Sequence, residues 1–194
     1  MPETAAMMNA MALIGEPRRM NPLLRLGVRI AERTTGRRME PARLLAWYPK
    51  AAIGSGLLEM LVAHREPSAR LLKLVRVTAS ITANCAFCVD MNSFEHDRAG
   101  LSDAELAALA CGDLDGLQTF THRERLAIEY ARLISSTPLV FPAEHLALLR
   151  AEFSERELVI LATTAAQVNY WARVIQALGV PPAGFTEACR LPNP

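Results

Sequence analysis

Apolar residues recur at helical spacing along most of the chain from about residue 22 onward, and no alternating strand pattern competes with them. The pattern is clearest in residues 155–178, where one stripe has apolar residues at intervals of three or four: Leu158, Leu161, Ala165, Val168, Trp171, Ile175 and Leu178. A stripe of this kind normally packs against the core of a globular protein. The pattern therefore predicts an all-α fold with this segment as its final helix.

Capping residues divide the chain into its predicted helices. Capping boxes, in which a hydroxyl precedes a glutamate by three residues, occur at Ser102 and Glu105, Thr121 and Glu124, and Ser154 and Glu157. Further starts and ends are indicated by single residues: Ser68, Pro142, Gly100, Gly112 and Gly179. With segments at 40–48 and 51–64, these signals predict about eight helices. We expect one helical domain at 21–182, a loosely ordered segment at 1–20 and a tail at 183–194.

The composition allows a sizeable core and carries no charge signal for a polyanionic partner. Of 194 residues 51% are hydrophobic, and 21 basic against 20 acidic residues leave a net charge of +1. Nucleic acid and anionic membranes are therefore not expected partners. The longest uncharged run, residues 158–172, is shorter than the roughly 20 residues that a bilayer span requires. The N-terminus has no basic region ahead of its apolar part, so we expect a soluble cytoplasmic protein.

The candidate chemistry lies in the C-x-x-C sequence that runs from Cys85 to Cys88. Asn84 or Thr82 can cap a helix that begins at Cys85, and residues three apart on a helix lie within reach of a disulfide. The N–H groups of the first turn and the helix dipole favour a thiolate there. We expect a solvent-accessible pair that cycles between dithiol and disulfide. Such a thiolate can attack a peroxide and form a sulfenic acid, with which the neighbouring thiol condenses.

Two other interpretations of the pair stay open. Buried cysteines behave as small apolar residues, although the polar residues Asp90 and Asn92 that follow do not continue an apolar face. A zinc site needs about four ligands, and the remaining candidates stand singly: His64, His96, His122, His145, Cys111 and Cys189. We therefore expect no metal and no other cofactor, and we expect Cys111 and Cys189 to be packing residues.

The runs LLKLVRVTASITANCAFCVDMNSFEHDRAGLSDAEL and FSERELVILATTAAQVNYWARVIQALGVP resemble the carboxymuconolactone decarboxylase superfamily and, within it, the alkylhydroperoxidase D (AhpD)-like branch. The likeness covers roughly residues 40–182. It implies an AhpD-like all-α bundle that forms an obligate homo-oligomer, a trimer, hexamer or dimer. It also implies a peroxide-reducing pair in which Cys88 matches the peroxidatic cysteine. Cys85 then matches the partner that exchanges with a reductant protein of the lipoyl or thioredoxin-like kind.

The chain departs from this family at its proton relay. The family pattern has a glutamate twelve residues before the first cysteine and a histidine four after the second, where this chain has Lys73 and Asn92. Asparagine cannot move protons near neutrality, and Lys73 is either a cation that stabilises the thiolate or an exposed lysine. On a continuous helix Glu95 shares the face of Cys88 about 10 Å along the axis, where it lines the approach to the pair or faces water. His96 is expected to be an exposed helix histidine.

The first functional hypothesis is a peroxidase-like thiol–disulfide oxidoreductase that acts on a peroxide or another small molecule through Cys88 and Cys85. The second is decarboxylation of a lactone, a reaction that does not need a cysteine pair. The third is a non-catalytic oligomeric protein with a redox-sensing or binding role. Outside the motif, Trp47, Tyr48 and Trp171 are candidates for a substrate pocket or for the core.

Overall fold

The computed structural model describes residues 12–112, 114 and 119–185. Over these residues it contains nine α-helices, a short 3₁₀ turn at Asp97–Ala99 and no strand, so the all-α prediction is confirmed. The helices are α1 Pro22–Thr35, α2 Glu40–Leu45, α3 Pro49–Leu61, α4 Ala69–Thr82, α5 Ala86–Ser93, α6 Asp103–Cys111, α7 His122–Ser135, α8 Ala143–Glu152 and α9 Glu155–Ala177. None of the helices in these ranges has the length and apolar character of a membrane span.

Helix starts follow the capping signals of the sequence. All three capping boxes form, at the N-termini of α6, α7 and α9. In each, the cap hydroxyl accepts a hydrogen bond from the backbone N–H of the glutamate, and the glutamate carboxylate accepts one from the backbone N–H of the cap residue. Ser68 caps α4 by accepting a hydrogen bond from the N–H of Leu71. Gly112 ends α6 in the left-handed conformation, with a φ of 73° that residues with a side chain rarely adopt.

The helix that follows the cysteines is shorter than predicted. The sequence places its end at Gly100, but α5 ends at Ser93 and the backbone leaves the helix at Phe94, where ψ is 136°. Glu95 then has a positive φ of 52°. The break is held from outside the helix, because Lys73 Nζ donates to the carbonyl oxygen of Phe94 at 2.7 Å. The prediction of a continuous helix through Glu95 is therefore wrong.

Helix α4 lies at the centre of the fold and contacts α5, α6, α7 and α9. Its buried residues are Leu71, Leu72, Leu74, Val75, Val77, Thr78, Ala79 and Ser80. A helix that is buried around most of its circumference is held by packing on several sides. One apolar cluster joins α4 to α7, α8 and α9, and a second joins it to α5, α6 and α7.

An ion-pair cluster fixes α4 against the starts of α6 and α7. Arg70 of α4 binds Glu105 at 2.5 Å and Glu124 at 2.6 Å, and these are the glutamates of two capping boxes. The side chain of Glu105 is only 6% exposed. The hydrogen bond from Arg70 lowers the pKa of Glu105 to about 2, against the opposing effect of burial. The cluster thus links the capping of two helices to the central helix.

Residues 12–16 contact the helical bundle, although they belong to the segment predicted to be loosely ordered. The N–H of Leu13 donates to the carbonyl of Leu178 at 2.7 Å, and Nε1 of Trp47 donates to the carbonyl of Gly15 at 2.7 Å. Glu16 binds Arg43 at 2.8 Å. The domain boundaries at 20 and 182 stay predictions, and residues 1–11 and 186–194 lie outside the described ranges.

Glu105→Gln should reduce the free energy of unfolding at pH 7 by about 3 kcal/mol, because the charge that Arg70 stabilises is lost. The folded pKa lies below the ordinary value of 4.5. This contribution is therefore present above pH 4.5 and disappears as the pH falls toward 2. Urea unfolding at pH 7 and pH 3 should show a smaller pH effect in the variant. Glu66→Gln, in an exposed ion pair, is the control, and equal pH slopes in all three proteins would contradict the prediction.

Candidate active site

The cysteine pair lies at the N-terminus of α5, as predicted, but the N-cap residue is Cys85 itself and not Asn84 or Thr82. Cys88 lies in the first turn, and the two Cα atoms are 5.2 Å apart with the sulfurs joined in a disulfide. The N–H of Cys88 donates to Sγ of Cys85 at 3.2 Å. This spacing lets the two sulfurs bond without distortion of α5.

The expectation that the pair is open to solvent is wrong for this oxidised chain. Cys85 and Cys88 are each only 1% exposed. They lie in an apolar cluster built from α2, α5, α9 and the residues after α9, whose other buried members are Leu44, Ala83, Phe87, Ala172, Ile175, Val180 and Phe185. The polar neighbours Asp90 and Asn92 are buried as well, and each has a hydrogen-bond partner inside the protein that replaces water.

Part of this cover is a segment at residues 179–185, which we call the C-terminal strap. Asp90 Oδ2 accepts hydrogen bonds from the backbone N–H of Ala183 at 2.9 Å and of Gly184 at 2.8 Å. The ring of Phe185 packs against Phe87 and Phe94, with centroids 6.4 and 5.6 Å apart. Asp90 therefore anchors the strap to the helix that begins at the cysteines.

Asn92 connects α5 to the central helix. Its Nδ2 donates to Ser80 Oγ at 2.9 Å, and Ser80 Oγ in turn donates to the carbonyl of Arg76 at 2.8 Å. Both polar side chains are buried. Asn92 lies one turn after Cys88, so the amide is near the pair, but its donor is directed to Ser80.

Lys73 and Glu95 lie at the other end of α5. The contact of Lys73 with Phe94 is about 9 Å along the helix axis from Cys88. The side chain of Glu95 is 40% exposed and pairs with Arg98 at 2.5 Å, so it faces solvent. Of the predicted site residues, the structure thus brings Cys85, Cys88 and Asn92 together and separates the other two.

Several other expectations from the sequence change in the structure. His96 is neither in an α-helix nor exposed, since it precedes the 3₁₀ turn, is 15% exposed and binds Asp103 at 2.8 Å. Cys111 is an exposed free thiol and not a packing residue, and Cys189 lies outside the described residues. Trp47 and Tyr48 are 60% and 61% exposed. Within the described ranges no group of three or more potential ligands could hold a metal ion.

A pocket of about 390 Å³ lies next to the cysteine motif, and sequence patterns did not indicate it. Its lining comes from the segment before α1, the start of α2, the motif and the strap: Ala12, Ile14, Gly15, Arg38, Glu40, Phe87, Pro181, Pro182 and Ala183. The binding of the strap by Asp90 was also missed. The Gly-Val-Pro-Pro sequence after α9 marks the end of a helix, but it does not indicate what the following residues contact.

Comparison with known proteins supports the family resemblance. No family model matches the chain. The chain is 33% identical over 139 residues to the uncharacterized protein YnjA of Escherichia coli strain K12, which covers 71% of this chain and 72% of YnjA. It is 26% identical to a solved structure from Agrobacterium tumefaciens described as a putative antioxidant defence protein AhpD, with a TM-score of 0.61 over 71% of this chain and 94% of that one. This chain belongs to one family with YnjA, and it has the AhpD-like fold of the carboxymuconolactone decarboxylase superfamily.

This chain also shares its fold with a debrominase. The debrominase Bmp8, solved as a cysteine-to-alanine variant with 2,3,4-tribromopyrrole, has a TM-score of 0.73 over 92% of this chain and 95% of its own. The two sequences are 19% identical. At this identity the likeness concerns the fold and not the reaction.

Asp90→Ala should accelerate reduction of the disulfide by a water-soluble phosphine at least about tenfold. The variant loses two charge-assisted hydrogen bonds to the strap. Each 1.4 kcal/mol by which the closed strap is destabilised raises the population of molecules with an open strap about tenfold. The measurement is the rate of thiol appearance, by alkylation and mass spectrometry. Asp103→Ala removes a carboxylate at an exposed position and is the matched control. An unchanged rate in Asp90→Ala would show that the strap does not limit access.

Proposed function

We propose that this AhpD-like chain is a thiol–disulfide oxidoreductase that reduces organic hydroperoxides through Cys85 and Cys88. The observation that supports it is the disulfide between these residues at the N-terminus of α5. The Cα atoms of the two residues are 5.2 Å apart, which is within the range that a disulfide requires. The helix dipole favours a thiolate in the first turn, where Cys88 lies, and the thiolate is the form that attacks a peroxide.

The reaction balances with one hydroperoxide and two thiols. The Cys88 thiolate attacks the terminal peroxide oxygen and the O–O bond breaks, which yields a sulfenic acid on Cys88 and an alkoxide that takes up a proton. The Cys85 thiol then attacks the sulfur of the sulfenic acid, and water leaves as the disulfide forms. A reductant dithiol of the lipoyl or thioredoxin-like kind reduces this disulfide and is itself oxidised to a disulfide.

The family's proton relay has no counterpart at the equivalent positions. Lys73 donates to the carbonyl of Phe94, and the Asn92 amide donates to Ser80. General acid–base catalysis typically contributes about 10²- to 10⁴-fold to a rate. We therefore expect peroxide reduction slower by this order than in an enzyme of the same fold that has the relay.

A second candidate function is a redox sensor whose disulfide forms once and persists. The cover over both sulfurs favours it, because a sealed disulfide meets reductants only when the cover opens. The sensor uses the same bond chemistry as the peroxidase. It differs in consuming one equivalent of peroxide per chain and then stopping, even when a reductant is present.

Reduced protein mixed with cumene hydroperoxide should lose two thiols per chain, and Cys88→Ser should abolish peroxide consumption. Cys85→Ser should stop at a sulfenic acid, which dimedone traps for mass spectrometry. Cys111→Ser removes an exposed free thiol and should behave as the wild-type chain. With dithiothreitol present, a peroxidase should consume hydroperoxide continuously, whereas a sensor should consume one equivalent of hydroperoxide per chain and then stop. A wild-type rate in Cys88→Ser refutes both.

We also propose that the chain assembles as a homo-oligomer, as the family resemblance implies. Helices α1 and α3 contact each other and leave large apolar side chains exposed: Leu23, Leu26, Ile30, Ile53, Leu57, Met60 and Leu61. These side chains recur at helical spacing on both helices, so they form continuous faces. Apolar patches of this kind mark contact surfaces, and a second copy of the chain is the partner that fits.

Leu57→Glu should lower the molecular mass measured by analytical ultracentrifugation, because a buried carboxylate in the interface would be desolvated. Leu139→Glu changes an exposed leucine outside these two helices and should leave the mass unchanged. A wild-type chain that sediments as a monomer would contradict the proposal.

A further inference from the structure

Four half-buried arginines in this fold bind carboxylates, and Arg76 does not. Arg43, Arg70, Arg123 and Arg132 each pair with at least one glutamate at 3.0 Å or closer. Arg76 lies on the central helix α4 and is also half-buried. Within the residues that the structure describes, its guanidinium makes neither a hydrogen bond nor an ion pair.

Glu59 is the acid whose charge reaches Arg76, but its carboxylate is bound by other groups. Oε2 of Glu59 accepts from Nε2 of Gln167 at 2.7 Å and from Nε1 of Trp171 at 3.0 Å. Burial lowers the pKa of Arg76, and the charge of Glu59 offsets only part of this effect. A guanidinium has five N–H donors in a planar fork. None of the five donates to an acceptor among the described residues.

Lys73 adds a second cation one turn before Arg76, on the same side of α4. Its Nζ donates to the carbonyl oxygen of Phe94 and binds no carboxylate in the described part of the chain. Burial lowers the pKa of Lys73 and the charge of Arg76 lowers it further, whereas the charges of Glu95 and Asp97 offset part of this effect. Two partly desolvated cations side by side destabilise a fold unless an anion joins them.

Two buried side chains, Ser80 and Asn92, connect Arg76 to the cysteine motif. Ser80, one turn after Arg76, accepts a hydrogen bond from Asn92, and Asn92 lies one turn after Cys88. Side chains one helical turn apart have Cβ atoms about 5–6 Å from each other. Two such turns and one side-chain hydrogen bond therefore separate Arg76 from Cys88. A substrate bound to Arg76 at one end reaches the cysteine pair when the cover over the two sulfurs opens.

We propose that Arg76 and Lys73 form a binding site for the carboxylate of an organic substrate that reacts at the cysteine pair. The guanidinium fork matches a carboxylate in bidentate geometry, which a point charge does not. The family pattern has a relay glutamate where this chain has Lys73, so the charge at this position is reversed. The anion site itself stands on the two cations, whereas its link to the cysteines rests on the proposed function.

Binding is tested by thermal unfolding with benzoate as the probe, against chloride at equal ionic strength and against neutral benzamide. Benzoate alone should raise the Tm of the wild-type chain, and the rise should saturate. Arg76→Met should lose the rise, and Arg76→Lys should keep only part of it because lysine lacks the fork. Arg156→Met, at an exposed position, should respond as the wild-type chain does.

Arg76→Met should unfold at an equal or higher temperature than the wild-type chain when benzoate is absent, because an unpaired, desolvated charge is removed. This result would show that Arg76→Met loses the benzoate response because the anion site is removed and not because the fold is damaged. Lys73→Met should reduce the benzoate response without abolishing it. The absence of a response in the wild-type chain, or an equal response in Arg76→Met, overturns the anion site.

The substrate class is tested with cumene hydroperoxide carrying a para-carboxylate, compared with its methyl ester. The wild-type chain should prefer the carboxylate in kcat/KM at least about tenfold, and the ratio should fall toward one in Arg76→Met. If neither peroxide is consumed while the benzoate response is intact, the peroxidase function fails and the anion site stands. If the wild-type chain consumes both equally, the site does not select the substrate.

Discussion

Burial of α4 on several sides is the constraint on which the rest of the structure depends. Four helices pack against it, and most of its residues are buried. Charged side chains on such a helix must find partners within the protein or remain partly desolvated. Arg70 binds two glutamates and Lys73 binds a carbonyl, whereas the described residues provide no hydrogen-bond partner for Arg76. The position of α4 thus accounts for the packing of the bundle around it and for the desolvation of Arg76, whose guanidinium has no hydrogen-bond partner in the described part of the chain.

The cysteine pair combines a reactive local geometry with a closed environment. The head of α5 favours a thiolate and holds two sulfurs in bonding distance, while the apolar cluster and the strap exclude water from both. Access therefore depends on how readily the cover opens as well as on the chemistry of sulfur. Asp90, two residues after Cys88, anchors the strap, so the same short helix positions the sulfurs and part of their cover.

The AhpD-like fold identifies neither the reaction nor the substrate. The feature of this chain that bears on chemistry is the cysteine pair, and Lys73 and Asn92 depart from the proton relay that the family resemblance implies. Each replacement is held by its own hydrogen bond, Lys73 to Phe94 and Asn92 to Ser80. The surroundings of the pair therefore differ from that pattern in charge as well as in proton transfer, and a fold shared with a debrominase leaves the substrate open.

The sequence by itself determined the features that depend on residues within one or two helical turns. These include the helical class, the three capping boxes and a cysteine pair able to bond at a helix start. The tertiary structure decided which residues are buried and where α5 ends. Asp90 and Asn92 are polar yet buried, and their hydrogen-bond partners are distant in the sequence. The two partners of Asp90 lie 93 and 94 residues away, and the partner of Asn92 lies 12 residues away. The break at Phe94 is held by Lys73, 21 residues earlier, and no local pattern contains such a contact.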